Sequence, residues 1–292
     1  SAGQGGCHGF ICAGGGGGSG VYVVGNNNTL TVTNATGGAG GYASTGTAYS
    51  ATWGGGGDGI RVEGTGNTVT LTGQATAGGP TATDGVPGSA IDFRGASNTL
   101  VLNGSVALTG SMRLTGAGSR VRGNGTASGD LLINGTVAPG TDTAVGTLTA
   151  KFIDLRAGTF EAKIDPSAGT ADRLVGTGTG GVAPYPAADV WLPGSKLTVR
   201  SLGGTPAVGD RFELLQANTG IEGTFSSVSL PAGITGVVEY TTTKAVLRIT
   251  GVAGGALASI PSLSQWGVAS LGLLLAVGAL WQSRRVNGSG LA

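Results

Sequence analysis

The chain is predicted to be all-β, a parallel β-helix (solenoid) carrying Gly-rich loop insertions, with one C-terminal hydrophobic α-helix. Three observations predict this. The apolar residues are mainly Val, Leu, Ile and Ala interleaved with Thr, which is strand composition. One frame of two short alternating strands recurs through the first half. The last thirty residues hold a continuous apolar run closed by Arg284 and Arg285.

Composition also excludes several classes. With 61 Gly in 292 residues and only 11% charged residues, the chain is unlike an ordinary globular enzyme, and its apolar content is unlike that of a disordered chain. A net charge of +1 spread over scattered Arg gives no basic face, so nucleic acid is not an expected partner.

Residues 1–19 form a Gly-rich N-terminal segment or cap. The chain begins at Ser1 without an apolar leader, so a signal peptide is expected to have been removed or the segment trimmed, and export is inferred from the tail. Cys7 and Cys12 are the only cysteines, and an even count in an exported chain reads first as a small disulfide loop. With His8 they also make three possible metal ligands within six residues, but no fourth ligand is evident. No metal or cofactor is therefore expected.

Residues 20–133 carry the repeat. The segments beginning at Gly20, Gly59 and Ala90 share one frame, and a weaker copy begins at Ser111, giving spacings of 39, 31 and 21. Alternation places Ile60 and Val62, or Leu100 and Leu102, on one face and Arg61, Glu63 and Thr70 on the other. Two such strands are too short to bury that face alone, whereas stacked copies bury a continuous stripe. Asn28, Asn67 and Asn98 then fall at equivalent corners, positioned to form an amide ladder.

The excess over the shortest spacing consists of insertions such as Gly37 to Gly57 and Gly78 to Gly88. These read either as flexible spacer or as loops on one face that present Tyr42, Tyr49 and Trp53 to a partner.

Residues 134–250 continue as strands of four to seven residues punctuated by Gly and Pro. Their phrases include Gly135-Thr-Val-Ala-Pro-Gly140, Asp172-Arg-Leu174 and Leu214-Leu-Gln-Ala217, followed by Gly223-Thr-Phe225. In that order they resemble the C-terminal end of autotransporter passenger regions. That resemblance implies the last coils of a right-handed parallel β-helix and a cap. About forty residues follow Thr250, too few for the membrane barrel that an autotransporter carries next.

Residues 251–259 read as a small-residue linker and 260–292 as an address. Ile260-Pro261-Ser262-Leu263-Ser264-Gln265-Trp266-Gly267 precedes the apolar run, which ends at Trp281. From Leu263 to Trp281 the run is 19 residues, close to the ~20 that cross a bilayer as a helix. Trp266 and Trp281 suit the headgroup level, and Arg284 and Arg285 the cytoplasmic side. A buried core helix of the same length is the alternative. The tail resembles the IPTL-CTERM sorting signal of Gram-negative bacteria, with Ser262 for the usual Thr, Gln265 for the usual Glu and an extension from Val286 to Ala292. That resemblance implies a membrane-bound sorting protease or transpeptidase as a partner.

The expected function is an exported cell-surface structural or adhesin-like protein. It is held at the inner membrane by its C-terminal helix, then sorted to the outer surface to meet polysaccharide, a host or neighbouring cell, or copies of itself. A β-helical polysaccharide lyase or hydrolase is an alternative, its groove drawn from Asp58, Arg61, Glu63, Asp92 and Arg94. A self-assembling fibre subunit is another. No catalytic residue is nominated, because His8 is the only imidazole and no nucleophile has a base in sequence reach.

Overall fold

A computed structural model describes residues 7–8, 11–12, 16–41, 54–80, 86–179 and 188–253. The regular elements among them are all strands. No helix among the described residues is long and apolar enough to cross a membrane, and the expected helix within 260–292 lies outside those residues. Ser1–Val252 form one compact unit and Ala253–Ala292 a second.

Two large sheets organise the first unit. An eight-stranded sheet contains, in chain order, Val21–Val24, Ile60–Glu63, Ile91–Phe93, Met112–Leu114, Asp130–Ile133, Phe152–Asp154, Val190–Trp191 and Ile221–Glu222. Each strand is parallel to the one from the next pass of the chain. These passes are numbered coils 1 to 8 below.

The remaining strands of each pass enter a 14-stranded sheet. In coils 1 to 4 they are single long strands, Thr29–Thr36, Thr68–Thr76, Thr99–Thr109 and Arg120–Ala127, again parallel. Register shifts at Val32/Asn34, Leu71/Gln74 and Gly123/Asn124 interrupt them, and such bulges bend a strand. After coil 4 the two halves separate. Arg120–Arg122 pair with Thr136–Ala138, whereas Gly125 and Thr126 pair with Leu148 and Thr149.

Period-2 alternation decides what lies inside. Val21, Ile60, Ile91, Met112, Leu131, Ile153, Val190 and Ile221 are successive register partners through all eight coils. Beside them Val23, Val62, Phe93, Leu114 and Ile133 form a second column. In the other sheet Leu30, Val69, Leu100, Val121, Val137, Phe160 and Leu197 do the same. Most of these side chains are fully buried. Each such burial contributes about 1.5–3 kcal/mol, which no single pass could secure alone.

Pairing crosses residues 133/134 without a break, through Arg120 opposite Thr136 and Leu131 opposite Ile153. Stacking ends where Lys244–Val252 lies antiparallel on Arg211–Gln216 and is covered by Ile234–Tyr240. Phe225 closes this end, its ring centroid 6.4 Å from both Phe160 and Tyr240. The Phe225 N–H donates to Tyr240 Oη at 3.1 Å.

Candidate functional site

Three arrays on the stacked coils bear on function, and each begins with a small-residue choice in the sequence. The first is the corner between the two sheets. Asn27, Gly66, Ser97 and Gly118 all take positive φ, of 58°, 70°, 55° and 69°, so the chain turns the same way in coils 1 to 4. The next residue in each case is Asn28, Asn67, Asn98 or Ser119. Asn67 Oδ1 accepts from both the N–H and Nδ2 of Asn28 at 2.9 Å. Asn98 Oδ1 accepts the Asn67 N–H at 2.8 Å, and Ser119 Oγ accepts the Asn98 N–H at 3.2 Å. Asn67 Nδ2 and Asn98 Nδ2 donate to backbone carbonyls of Gly25 and Gly64. The structure thus brings Asn28, Asn67 and Asn98 together, and Ser119 extends their line.

The second array lies at the roots of the insertions. Gly88, Gly78, Gly57 and Gly38 each donate a backbone N–H to the next, and Gly38 donates to Gly18, with N···O distances of 2.7–3.0 Å. Five glycine segments, the two ends of each insertion and the stretch before coil 1, are therefore stitched directly to one another. A Cβ on Gly57 would lie 2.2 Å from Gly18 O, and one on Gly78 would lie 2.0 Å from Gly38 O. No side chain fits there, because backbone touches backbone. Gly41 and Gly54, which bound the segment holding Tyr42, Tyr49 and Trp53, are themselves joined at 3.3 Å. Those three aromatic residues lie outside the described residues. Composition suggested loops or spacer; it carried no sign that their stems pack as a lattice.

The third array is the outer face of the eight-stranded sheet. Tyr22, Arg61, Asp92, Arg113, Leu132, Asp154, Trp191 and Glu222 are register partners along it. Glu63 accepts from Tyr22 Oη at 2.5 Å and pairs with Arg61. The Tyr22 hydrogen bond and Arg61 hold its carboxyl below the usual range. Asp92 pairs with Arg94 at 2.7 Å, and Asp58 accepts the Ser89 N–H at 2.8 Å. The carboxylates that composed the enzymatic alternative thus already have partners. Arg156 pairs with Asp154 and stacks over Trp191 at 4.5 Å.

Sequence reading missed the buried pair Lys163 and Asp172, 2% and 0% exposed. Lys163 Nζ also donates to Pro139 O, and Asp172 accepts the N–H of Gly146 at 2.7 Å and of Lys163 at 2.9 Å. Burial pushes the Asp172 carboxyl up, against the hydrogen bonds of Lys163. Asp172 belongs to the Asp-Arg-Leu phrase, but nothing in sequence spacing signals that it meets Lys163.

Cys7 and Cys12 are cross-strand partners in a two-stranded antiparallel pair. Such partners sit about 4.5–5.5 Å apart at Cα, within the disulfide range. No group of three or more His, Cys, Asp or Glu able to hold a metal ion occurs among the described residues. The segment Ile260 to Gly267 and Arg284 and Arg285 lie outside those residues.

Comparison with known proteins informs that tail directly. The model of the IPTL-CTERM motif matches residues 258–285, so the chain carries a C-terminal sorting signal of an exported protein. No curated protein matches the chain.

Proposed function

We propose that this chain is an exported surface protein whose eight stacked coils make a parallel β-helical rod, delivered by its C-terminal signal to present its Gly-rich insertions outside the cell. The observation that carries the reading is the sorting motif at 258–285. A parallel β-helix is supported by the unbroken register columns through both sheets. The phrases from Asn134 to Thr250 further favour an autotransporter passenger-like scaffold, here without a barrel.

The role is structural or adhesive rather than catalytic. Rigid stems that hold large insertions suit presentation, because loops fixed on a rigid frame lose little entropy when they bind. The apolar run from Leu263 to Trp281 inserts in the inner membrane until a sorting enzyme acts near Ile260.

Fractionation of expressing cells tests this. The full chain is expected in the membrane or at the surface, accessible to external protease, and a chain ending at Ser259 is expected to be released. Unchanged membrane association after that truncation contradicts the anchoring part of the reading. A cytoplasmic full chain contradicts export.

A further inference from the structure

We propose that Asn27, Asn34, Asn103, Asn124 and Asn134 are acceptor sites for asparagine-linked sugar, which clothes the outside of coils 1 to 5. This rests on the reading of the chain as an exported surface protein. Each of the five has Ser or Thr two residues on, namely Thr29, Thr36, Ser105, Thr126 and Thr136. An Asn-x-Ser/Thr triplet is the pattern that asparagine glycosylation reads in exported proteins. A sixth, Asn287-Gly288-Ser289, lies outside the described residues. The chain has 11 asparagines, and Ser and Thr make up about a fifth of its residues, so chance gives about two such triplets where six occur.

The side-chain nitrogens divide along the same line as the triplets. Sugar is attached at Nδ2, so that atom must be at liberty in an acceptor. None of the five donates a hydrogen bond from Nδ2 among the described residues. Asn34 and Asn124 use only Oδ1, which accepts the N–H of Gln74 at 3.1 Å and of Thr147 at 2.9 Å. Four asparagines without the triplet have Nδ2 engaged. Asn28 donates to Asn67 Oδ1, Asn67 to Gly25 O, Asn98 to Gly64 O and Gly95 O, and Asn218 to Gly178 O. Among the described asparagines, Asn26 alone has neither a triplet nor such a bond.

Local structure presents the acceptors at bends. Asn27 has a φ of 58°, and Asn103 precedes Gly104 at 94°. Asn103 and Gly104 fall in the register gap between Leu102 and Ser105, and Asn34 and Asn124 follow the shifts at Val32 and Gly123. Asn134 lies between Asp130–Ile133 and Thr136–Pro139. Bulges and turns yield to an enzyme's cleft without breaking the ladder, and strand alternation puts the hydroxyl two residues on beside the amide. Four of the five are exposed and Asn124 is half-buried. No Asp, Glu, Lys or Arg precedes Asp58, so coil 1 has no charge of its own and a bulky, solubilising sugar hydrates its surface. In the transfer, Nδ2 attacks the anomeric carbon of a sugar held as its diphosphate ester. The C–N bond forms as the C–O bond to phosphate breaks, the diphosphate leaves with the electron pair, and the amide releases one proton. Either a nucleotide or a polyprenol lipid carries that diphosphate.

Glycopeptide mass spectrometry of the full chain, taken from cells that make it naturally, tests this. Sugar is expected on the five acceptors and absent from Asn26, Asn28, Asn67, Asn98 and Asn218. Hexoses added one at a time identify a nucleotide-linked donor, and a preassembled oligosaccharide identifies a lipid-linked one. Ser105→Ala is expected to strip sugar from Asn103 alone. Gln74→Asn completes a triplet in the register partners of Asn34-Ala35-Thr36 and is expected to add a site. Thermal unfolding of both variants checks the fold. Sugar on none of the five, on Asn67 or Asn98, or on Asn103 in folded Ser105→Ala protein overturns the assignment, as does folded Gln74→Asn protein with no added site. An unmodified protein at the cell surface refutes the acceptor sites only. A modified protein that never leaves the cytoplasm refutes the surface reading only.

Discussion

Lys163 Nζ lies 2.5 Å from Asp172 Oδ2 with both side chains shut off from water. Asp172→Ala leaves an uncompensated buried ammonium, and the expected loss is about 3–5 kcal/mol by chemical denaturation. Lys163→Met combined with Asp172→Leu removes both charges and is expected to recover most of that loss. A double variant as unstable as the single one shows that the hydrogen bonds to Pro139 and Gly146, rather than the unpaired charge, govern the cost.

Asn98 is fully buried and supplies the acceptor for the Asn67 N–H. Asn98→Leu strands that donor, so unfolding free energy is expected to fall by about 1–3 kcal/mol. Substitution of the exposed Asn103 is expected to change it little. Equal effects at the two positions speak against the ladder.

The glycine lattice predicts a sharp contrast between two chemically identical changes. Gly57→Ala drives a Cβ to 2.2 Å from Gly18 O, whereas a Cβ at Gly79 meets nothing within 4 Å. Gly57→Ala is expected to cost about 1–3 kcal/mol and to speed proteolysis within 42–53. Gly79→Ala is expected to do neither. Limited proteolysis that treats both variants alike contradicts packed stems.

Acid dependence separates two carboxylates. Arg120 hydrogen-bonds both oxygens of Glu161 at 2.8 and 2.9 Å and holds its carboxyl below the usual range. A depressed folded pKa gives stability that is present above the unfolded value of about 4.3 and lost as pH falls through the folded one. Glu161→Gln is therefore expected to flatten the acid-side fall in denaturant midpoint. Burial pushes Asp130 up, with Lys151 opposing. Its contribution is present at low pH and fades as pH rises through the raised value, so Asp130→Asn is expected to help most at neutral pH. Parallel pH profiles for the two variants contradict these assignments.

The stacking was legible because period-2 alternation and the Gly-Asn corner recur together. Asn28, Asn67 and Asn98 keep sequence separations of 39 and 31, and the register absorbs the unequal lengths as insertions. From coil 4 on that corner Asn is missing; the position carries Ser119, Gly135, Gly158, Ser195 and Ser226 in turn, so the equivalence of the later coils shows only in the pairing. The lattice was hidden because a Gly-rich stretch has the same composition whether it is a loose spacer or a close-packed stem. The buried ion pair was hidden for another reason. It is defined by contacts among Pro139, Lys163 and Asp172 that no local pattern encodes.

Oxidative cross-linking of paired cysteines reads the register of the coils directly. In a background of Cys7→Ser and Cys12→Ser, Thr70→Cys with Val101→Cys places two thiols on partner residues of adjacent coils. Their separation of about 4.8 Å permits a disulfide. Thr68→Cys with Val101→Cys is two residues out of register, about 8 Å apart by strand rise and spacing, and beyond bridging. Rapid intramolecular closure of the first pair and none of the second is the predicted result. Equal closure of both, or closure of the second alone, contradicts the stacked coils on which the whole account stands.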